Sequence, residues 1–567
     1  MKRKQLLSIL TGTALVLSLA ACGTDASTAT SLPTSEATEA VTETAASVTD
    51  AQTAFTFTDS GITVEGSSDG YECSGTALTI DTAGTYLLSG SCADGSVIIK
   101  KGTTGVRLIL SGLSLTSADT APITCNKSSE VVIVAADGTE NVLTDAAANN
   151  DESNSGNENA ENAVIKCKDG SAVTLCGSGT LTLNAYGKNG IKSGATTAEE
   201  GEASLTIREL TLNINASVND AINAEQYLAV ESGTLNLAAA DDALHCDLIM
   251  DIGAEGTDGP MIDITEACEG IEAAALSIRS GDISIVCTDD CLNAANSDLG
   301  NYDFAINISG GTIVAYTTAG DGFDSNCSLT ISGGNVTVWS GGTADNQPLD
   351  ADGTITITGG TVLAAGGSAG MGMNLSTTQA YVTFGSTGMG NMGGQPGSLG
   401  GMQPPQNGGQ PGSDSQANGN FQPSDDFRPG DAPSGNSMPS GDAQPGGFGA
   451  SLVSAGSTLT ILDSSGSTVC SGEAPCSAAF VFFSSADLNT DETYTLSADG
   501  ISAATATAQA GTSTAQNGGQ PGQMPGSGSQ PGQPGEGQQP GQPGDGQQPG
   551  GDPPAMPGSD NSSGNAI

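Results

Sequence analysis

One short pattern recurs between Lys188 and Asp350, and it limits what this chain can fold into. A polar or acidic residue is followed by a small residue, an apolar residue and another polar residue. The copies read Lys188-Asn189-Gly190-Ile191-Lys192, Asn219-Asp220-Ala221-Ile222-Asn223, Asp241-Asp242-Ala243-Leu244-His245, Cys268-Glu269-Gly270-Ile271-Glu272, Asp289-Asp290-Cys291-Leu292-Asn293 and Gly320-Asp321-Gly322-Phe323-Asp324, with a looser Gln347-Pro348-Leu349-Asp350 at the end. Between copies lie short alternating strands joined by Ser-Gly or Gly-Gly turns, as in Leu329–Val338 and Ile355–Leu363. The apolar anchors Ile191, Ile222, Leu244, Ile271, Leu292, Phe323 and Leu349 are 31, 22, 27, 21, 31 and 26 residues apart. A period in the twenties built from strands and glycine turns predicts an all-β solenoid, in which each repeat buries its apolar face only by stacking on the next. The variable period places insertions in one outward turn of each coil. The general handedness of parallel crossovers predicts a right-handed parallel β-helix.

Composition agrees with a turn-rich β protein with a core of small aliphatics. The 567 residues include 81 glycines, with 14% charged and 4% aromatic residues. The formal net charge of −49 attracts cations and repels nucleic acid and anionic membrane, so a nucleic-acid partner is excluded. Six segments are expected. Residues 1–21 read as a lipoprotein signal peptide, with Lys2, Arg3 and Lys4 before an apolar run that ends in Leu19-Ala20-Ala21-Cys22. Cleavage before Cys22 and lipidation of its thiol, completed by a further acyl chain such as palmitate, would hold the protein at the extracellular face of a bacterial cell membrane. An ordinary signal peptide with an incidental cysteine is the alternative. Residues 22–54 read as a Ser/Thr-rich tether, 55–384 as the β-helix, 385–449 as a disordered Gly/Pro/Gln-rich insertion, 450–508 as a small C-terminal β cap, and 509–567 as a second disordered tail.

Thirteen cysteines are present. Beyond Cys22, the pairs Cys73/Cys92, Cys167/Cys176 and Cys470/Cys476 each flank one excursion and are candidate disulfides. Cys246, Cys268, Cys287, Cys291 and Cys327 read equally well as small buried hydrophobes. Without a CxxC spacing, and with one histidine in the chain, a zinc or redox site is not expected.

The chemistry is expected in the acidic positions of the repeat. Asp220, Asp242, Glu269, Asp290 and Asp321 occupy the second position of five successive copies, and Asp241, Asp289, Asp324 and Asp350 add charge nearby. Coils stacked about 4.8 Å apart would make each adjacent pair repel by roughly 0.9 kcal/mol in water and roughly 3.5 kcal/mol at an effective dielectric of about 20. From Asn219 to Phe384 there is no lysine, and Arg279 is the sole arginine, so counter-charge must come from outside the coils. Calcium, with six to eight oxygens at about 2.3–2.6 Å, spans about one coil spacing and is the expected cofactor, with turn carbonyls and Asn223 or Asn293 completing the shell. The alternative is that these aspartates only form turns, which any one of them does well. His245 is expected to be a solvated turn residue.

At these residues the chain resembles the carbohydrate-binding β-helix domain of clostridial cell-surface lipoproteins. The likeness rests on the recurring Asp-Gly/Ala-Ile coil, the Ser-Gly-Gly-Thr-Ile turn, Thr139-Glu140-Asn141-Val142-Leu143-Thr144-Asp145, Phe483-Ser484-Ser485-Ala486-Asp487-Leu488 and Glu492-Thr493-Tyr494-Thr495-Leu496. It covers roughly residues 55–500 apart from the insertion. It implies a right-handed parallel β-helix that binds calcium and plant cell-wall polysaccharide, with a fold similar to the family-nine pectate lyases. Those lyases use a lysine base. Here the acidic coils lack one, and Lys188 and Lys192 lie one coil earlier. The expected function is therefore non-catalytic, calcium-dependent binding of a pectate-like or cellulosic glycan by a lipid-anchored protein, not an enzyme. A calcium-dependent pectate lyase-like activity and a spacer or adhesin without a glycan ligand are the alternatives. Tyr316, Trp339 and Tyr381 are the rings considered for sugar stacking.

Overall fold

A computed structural model describes residues 51–194, 204–300, 302–342, 346–367, 374–385 and 451–511. The leader, nearly all of the tether and insertion, and most of the tail lie outside these residues. Among the described residues the chain is all-β: 34 strands form one large, mainly parallel sheet, and four more form a separate antiparallel sheet.

The parallel pairing follows from the repeat. Most strands pair in parallel with the third strand after them, or with the second where the long strands Leu244–Ile252 and Ile271–Ile278 intervene, which produces three ladders. The first holds the repeated motif: Asn189–Ser193, Ile222–Ala224, the start of Leu244–Ile252, the start of Ile271–Ile278, Leu292–Ala294 and Phe323–Ser325. The second runs from Ser204–Ile207 to Thr354–Ile357. The third, with the longest regular strands, runs from Thr180–Ala185 to Thr361–Gly366.

Register explains the core. The predicted anchors Ile191, Ile222, Leu244, Ile271, Leu292 and Phe323 are direct partners of one another, and the series extends back through Ile165 and Ile123 to Val97. All nine are fully buried. The other ladders contribute similar stacks, such as Leu205, Leu228, Met250, Leu276, Ile306, Leu329 and Ile355. Burying each such side chain contributes about 1.5–3 kcal/mol. A slip of one residue would turn a whole stack to solvent, and this is what holds the register.

Both ends are shielded by antiparallel pairing. Thr53–Thr58 pairs with Gly61–Gly66, and Tyr71–Ser74 with Ala77–Ile80, before the parallel ladders begin. At the far end Phe480–Ser484 inserts antiparallel between Thr361–Gly366 and Tyr381–Gly385. Unpaired edges invite aggregation, and these strands cover them. The expected C-terminal cap thus has two parts. One is this edge strand. The other is a four-stranded antiparallel sheet, Thr458–Leu462, Thr468–Glu473, Thr493–Ala498 and Ile501–Thr507. That sheet packs on the outward side of the third ladder, where Trp339, Leu363 and Phe384 share an apolar cluster with Leu459, Ile461 and Tyr494.

The cysteines depart from the expected pairing. All twelve described cysteines are free thiols. Cys167 lies opposite Cys125 on the neighbouring coil and not against Cys176, and the Cys287 and Cys291 sulfurs are 3.3 Å apart. Cys73 is exposed while Cys92 is buried. Ladder register, not closeness in sequence, decides which thiols meet.

Candidate functional site

Each motif copy begins as a tight turn and ends in the first ladder. The N–H of the third residue in one copy donates to the carbonyl of the second residue in the next. The series is Gly190 to Asp220, Ala221 to Asp242, Ala243 to Glu269, Gly270 to Asp290, Cys291 to Asp321 and Gly322 to Gln347. This regularity requires a small third residue. A Cβ on Gly270 would run into the Cys291 carbonyl and the Ile285 side chain.

The turns therefore stack, and so do their polar groups. Asp220 Oδ1 accepts the Asp242 N–H at 3.2 Å, and Asp290 Oδ1 accepts the Asp321 N–H at 2.6 Å. The Asp321 carboxylate accepts the Gln347 N–H. Fifth-position residues form a second column in direct register: Lys192, Asn223, His245, Glu272, Asn293 and Asp324.

Three groups of ligand atoms converge to within 4.8 Å: Asp220, Asp241 and Asp242; Asp242, His245 and Glu272; and Asp321, Asp324 and Asp350. Glu269 and Asp290 lie between them in the stack, with Glu269 Oε2 accepting from Asn293 Nδ2 at 2.9 Å. Asp220 and Asp242 are buried, and Asp241 and Asp289 are exposed. Asp289 belongs to none of the three groups. Of the nine carboxylates expected from sequence, six thus enter convergent groups, two line the stretch between, and Asp289 stands at the rim.

His245 is not the solvated turn residue expected. It sits in a strand with carboxylates on both ring nitrogens: Nδ1 is 2.7 Å from Glu272 and 3.0 Å from Asp242, and Nε2 is 2.9 Å from Asp247. Burial alone would push this imidazole down, but the hydrogen bonds to Asp242, Asp247 and Glu272 together outweigh it and raise it. An imidazolium here is the cation that the neighbouring carboxylates need. The reason is register, which brings Glu272 of the next coil against it.

Beyond His245 the carboxylates are displaced further from their usual range. Burial, followed by repulsion from Glu272, Asp242 and Asp290, pushes Glu269 up to about 8 against the opposing Asn293 hydrogen bond. Burial and neighbouring aspartates push Asp290 up to about 7 and Asp321 up to about 7. Asp220 and Asp324 are raised, again mainly by burial. Positive charge placed beside such groups would favour their ionised form.

Two amide oxygens indicate what that charge would be. Asn293 Oδ1 and Gln347 Oε1 are buried and find no hydrogen-bond donor among the described residues. Asn293 lies in register between Glu272 and Asp324, and Gln347 is bound through its N–H to Asp321. Once ionised, the neighbouring carboxylates accept and do not donate, so in that state they cannot satisfy an amide oxygen. A hard cation with oxygen ligands satisfies both kinds of group together. Asn293 and Gln347 are therefore candidate ligands beside the nine carboxylates, and Glu272 enters through its convergence with Asp242 and His245. The signal for Glu272 was its fifth position, which the second-position count passed over.

The aromatic candidates fare unequally. Trp339 is buried beneath the antiparallel sheet. Tyr381 stacks on Phe482 and its hydroxyl is bound to Gln509. Tyr316 stays partly exposed at the edge of the same cluster.

A family model described as carbohydrate-binding domain-containing protein matches residues 74–370, a span that holds all three ladders and the whole acidic column. A carbohydrate-binding domain-containing protein of Acetivibrio thermocellus is 36% identical over 124 residues, which is 22% of this chain and 42% of that protein. The chain thus spans less than half of that relative. Among solved structures, a polysaccharide lyase-like protein from C. thermocellum, as a gadolinium derivative, is 24% identical with a TM-score of 0.32, covering 54% of this chain and 96% of that one.

Proposed function

The chain belongs to the carbohydrate-binding domain-containing protein family, and on that premise we propose that it is a non-catalytic, calcium-dependent polysaccharide-binding lipoprotein. In this reading the ladders wind as a right-handed parallel β-helix, and acylated Cys22 tethers them to the extracellular face of the cell membrane. Asp220, Asp241, Asp242, Glu269, Asp290, Asp321, Asp324 and Asp350 hold calcium with Glu272, Asn293 and Gln347, and Asp289 adds charge at the rim. The observation that carries the calcium part is the pair of buried, unsatisfied amide oxygens among carboxylates that burial has pushed upward. Calcium supplies the counter-charge, so that the coils stack without repulsion.

A second reading, β-elimination from a uronate, draws on Lys166. Its ammonium is lowered by burial and by Lys192, and it shares the motif column. Three register steps separate it from His245, however, so it stands well away from Asn293 and Gln347. A pull-down on plant cell-wall polysaccharides with calcium and with chelator tests the binding reading. Retention on at least one glycan without release of unsaturated product supports it. Steady formation of unsaturated uronide from pectate overturns the non-catalytic part, and retention on no polysaccharide overturns the whole.

A further inference from the structure

The third ladder has a face unlike the rest of this acidic chain. Six of its strands, Thr180–Ala185, Thr211–Ala216, Thr234–Ala239, Met261–Glu266, Asp282–Cys287 and Thr312–Thr317, carry only three charged side chains: Asp263, Glu266 and Asp282. The outward positions are otherwise mostly Thr and Asn. Asn236 Nδ2 donates to Asn213 Oδ1 at 2.7 Å, and Asn213 Nδ2 donates to Thr182 Oγ1 at 3.2 Å, so two directed bonds link three successive strands of the face. Farther along, the face becomes apolar. Met261, Val286 and Val314 are 52%, 41% and 49% exposed, and they make up half of the exposed large hydrophobics among the described residues. Val286 lies opposite Tyr316, which lies opposite Trp339. The apolar stripe therefore continues beneath the antiparallel sheet, where Trp339 and Leu363 are buried, while its Val286–Val314 portion stays open.

We propose that a polysaccharide lies along this face, and that it is an uncharged one. The proposal rests on the reading that the chain binds polysaccharide, and it adds the surface and the class of sugar. A pyranose ring offers an apolar C–H face and a rim of hydroxyls. The open aliphatic side chains of the later strands suit the first, the Asn213 and Asn236 amides of the earlier strands suit the second, and exposed apolar surface marks interaction sites. Strands about 4.8 Å apart let an extended glycan meet Thr182, Asn213 and Asn236 on three successive strands before it reaches Val286 and Val314. Charge decides between glycan classes. The face has no lysine or arginine, and the chain carries −49, so a polyuronate would bring one anion per sugar to a surface with nothing to receive it. The acidic column then acts through the fold and does not touch the sugar.

The test is affinity electrophoresis of the full mature chain through gels containing uncharged β-glucan, xylan or galactomannan, or polygalacturonate, each with calcium. It is run beside the double variant Val286→Asp, Val314→Asp, and beside Asn236→Asp. Both variants change exposed side chains, and an unchanged melting temperature verifies their fold. The expected result is retardation of the parent by at least one uncharged polysaccharide, with affinity at least tenfold lower in the double variant and several-fold lower in Asn236→Asp. Equal retardation of parent and variants overturns the proposal, as does retardation by polygalacturonate alone. A second copy of the chain would be the occupant if the double variant turned a sedimenting dimer into a monomer with glycan affinity intact, and this too would overturn it. Retardation of the parent by no polysaccharide refutes the polysaccharide reading itself, a result distinct from the other three.

Discussion

Two halves of the first ladder share one backbone and handle charge differently. In the earlier half Lys166 and Lys192 occupy adjacent positions, and Lys192 and two lysines near it are paired within the chain. Lys192 lies 2.8 Å from Glu225, Lys188 2.6 Å from Glu152, and Lys168 2.6 Å from Glu161. In the later half the same column reads Asn223, His245, Glu272, Asn293 and Asp324, beside stacked second-position acids. His245 is the only cation on these later coils apart from Arg279, which is bound to Asp251 on the second ladder. A parallel ladder sets like positions side by side, because each strand pairs in register with the last. Charge of one sign must therefore be neutralised from a neighbouring coil, as by Glu225, or from outside the chain.

The comparison breaks most directly with chelator. If the later half depends on external cations, removing calcium at pH 7.5 lowers the melting temperature by about 5 °C or more, since saturation at about a hundred times Kd contributes about 2.7 kcal/mol per site. A scanning calorimetry trace indifferent to EDTA would make the two halves equivalent.

Next in size is His245→Ala. Removing the imidazolium leaves Asp242 and Glu272 without their cation, and loss of one partner of a buried pair costs about 3–5 kcal/mol. Urea unfolding without calcium measures it, and a loss below about 1 kcal/mol would mean that the histidine is not the internal counter-charge.

The pH dependence sharpens the contrast further. Glu269, Asp290 and Asp321 have folded-state values of about 8, about 7 and about 7, all above the ordinary carboxylate range. A raised folded value stabilises fully below the unfolded value near about 4, and that contribution is lost as pH rises through about 7 to about 8. Without calcium the melting temperature should fall between pH 6 and 8.5, in that direction only, and calcium should flatten the slope. A calcium-free protein that gains stability across this window would contradict the stacking of these acids.

Smaller effects come from single ligands and single pairs. Asn293→Ala should weaken calcium binding by about tenfold, read by titration calorimetry, because one oxygen ligand is lost from a multidentate shell. Lys192→Met should cost about 1 kcal/mol or less, since a partly exposed pair contributes little, and it should leave calcium affinity alone. A larger change in calcium affinity from Lys192→Met than from Asn293→Ala would reverse the roles of the two halves.

Much of the architecture was legible in the residues. The anchors from Ile191 to Phe323 could be aligned by eye, and all are register partners, because a stacked coil tolerates insertions in its turns but not in its inward-facing strand. Gly334 shows the same economy: it holds a φ of 85° at the second glycine of its turn, a conformation that favours glycine. The stacked acids were legible for the same reason. The role of His245 was not, because Glu272 reaches it from 27 residues away and only the register makes them neighbours. The thiol pairs failed for a like cause, since Cys125 and Cys167 meet across coils.

By itself the sequence determined the all-β class, the repeat, the inward stacks and the excess of acid on the later coils, because each follows from spacing and residue type along one chain. Only the tertiary structure decided which charges face one another, which amide oxygens are left without donors, and where the antiparallel sheet stops short of Val286 and Val314. Those are contacts between coils, and their partners depend on loop lengths that vary from turn to turn.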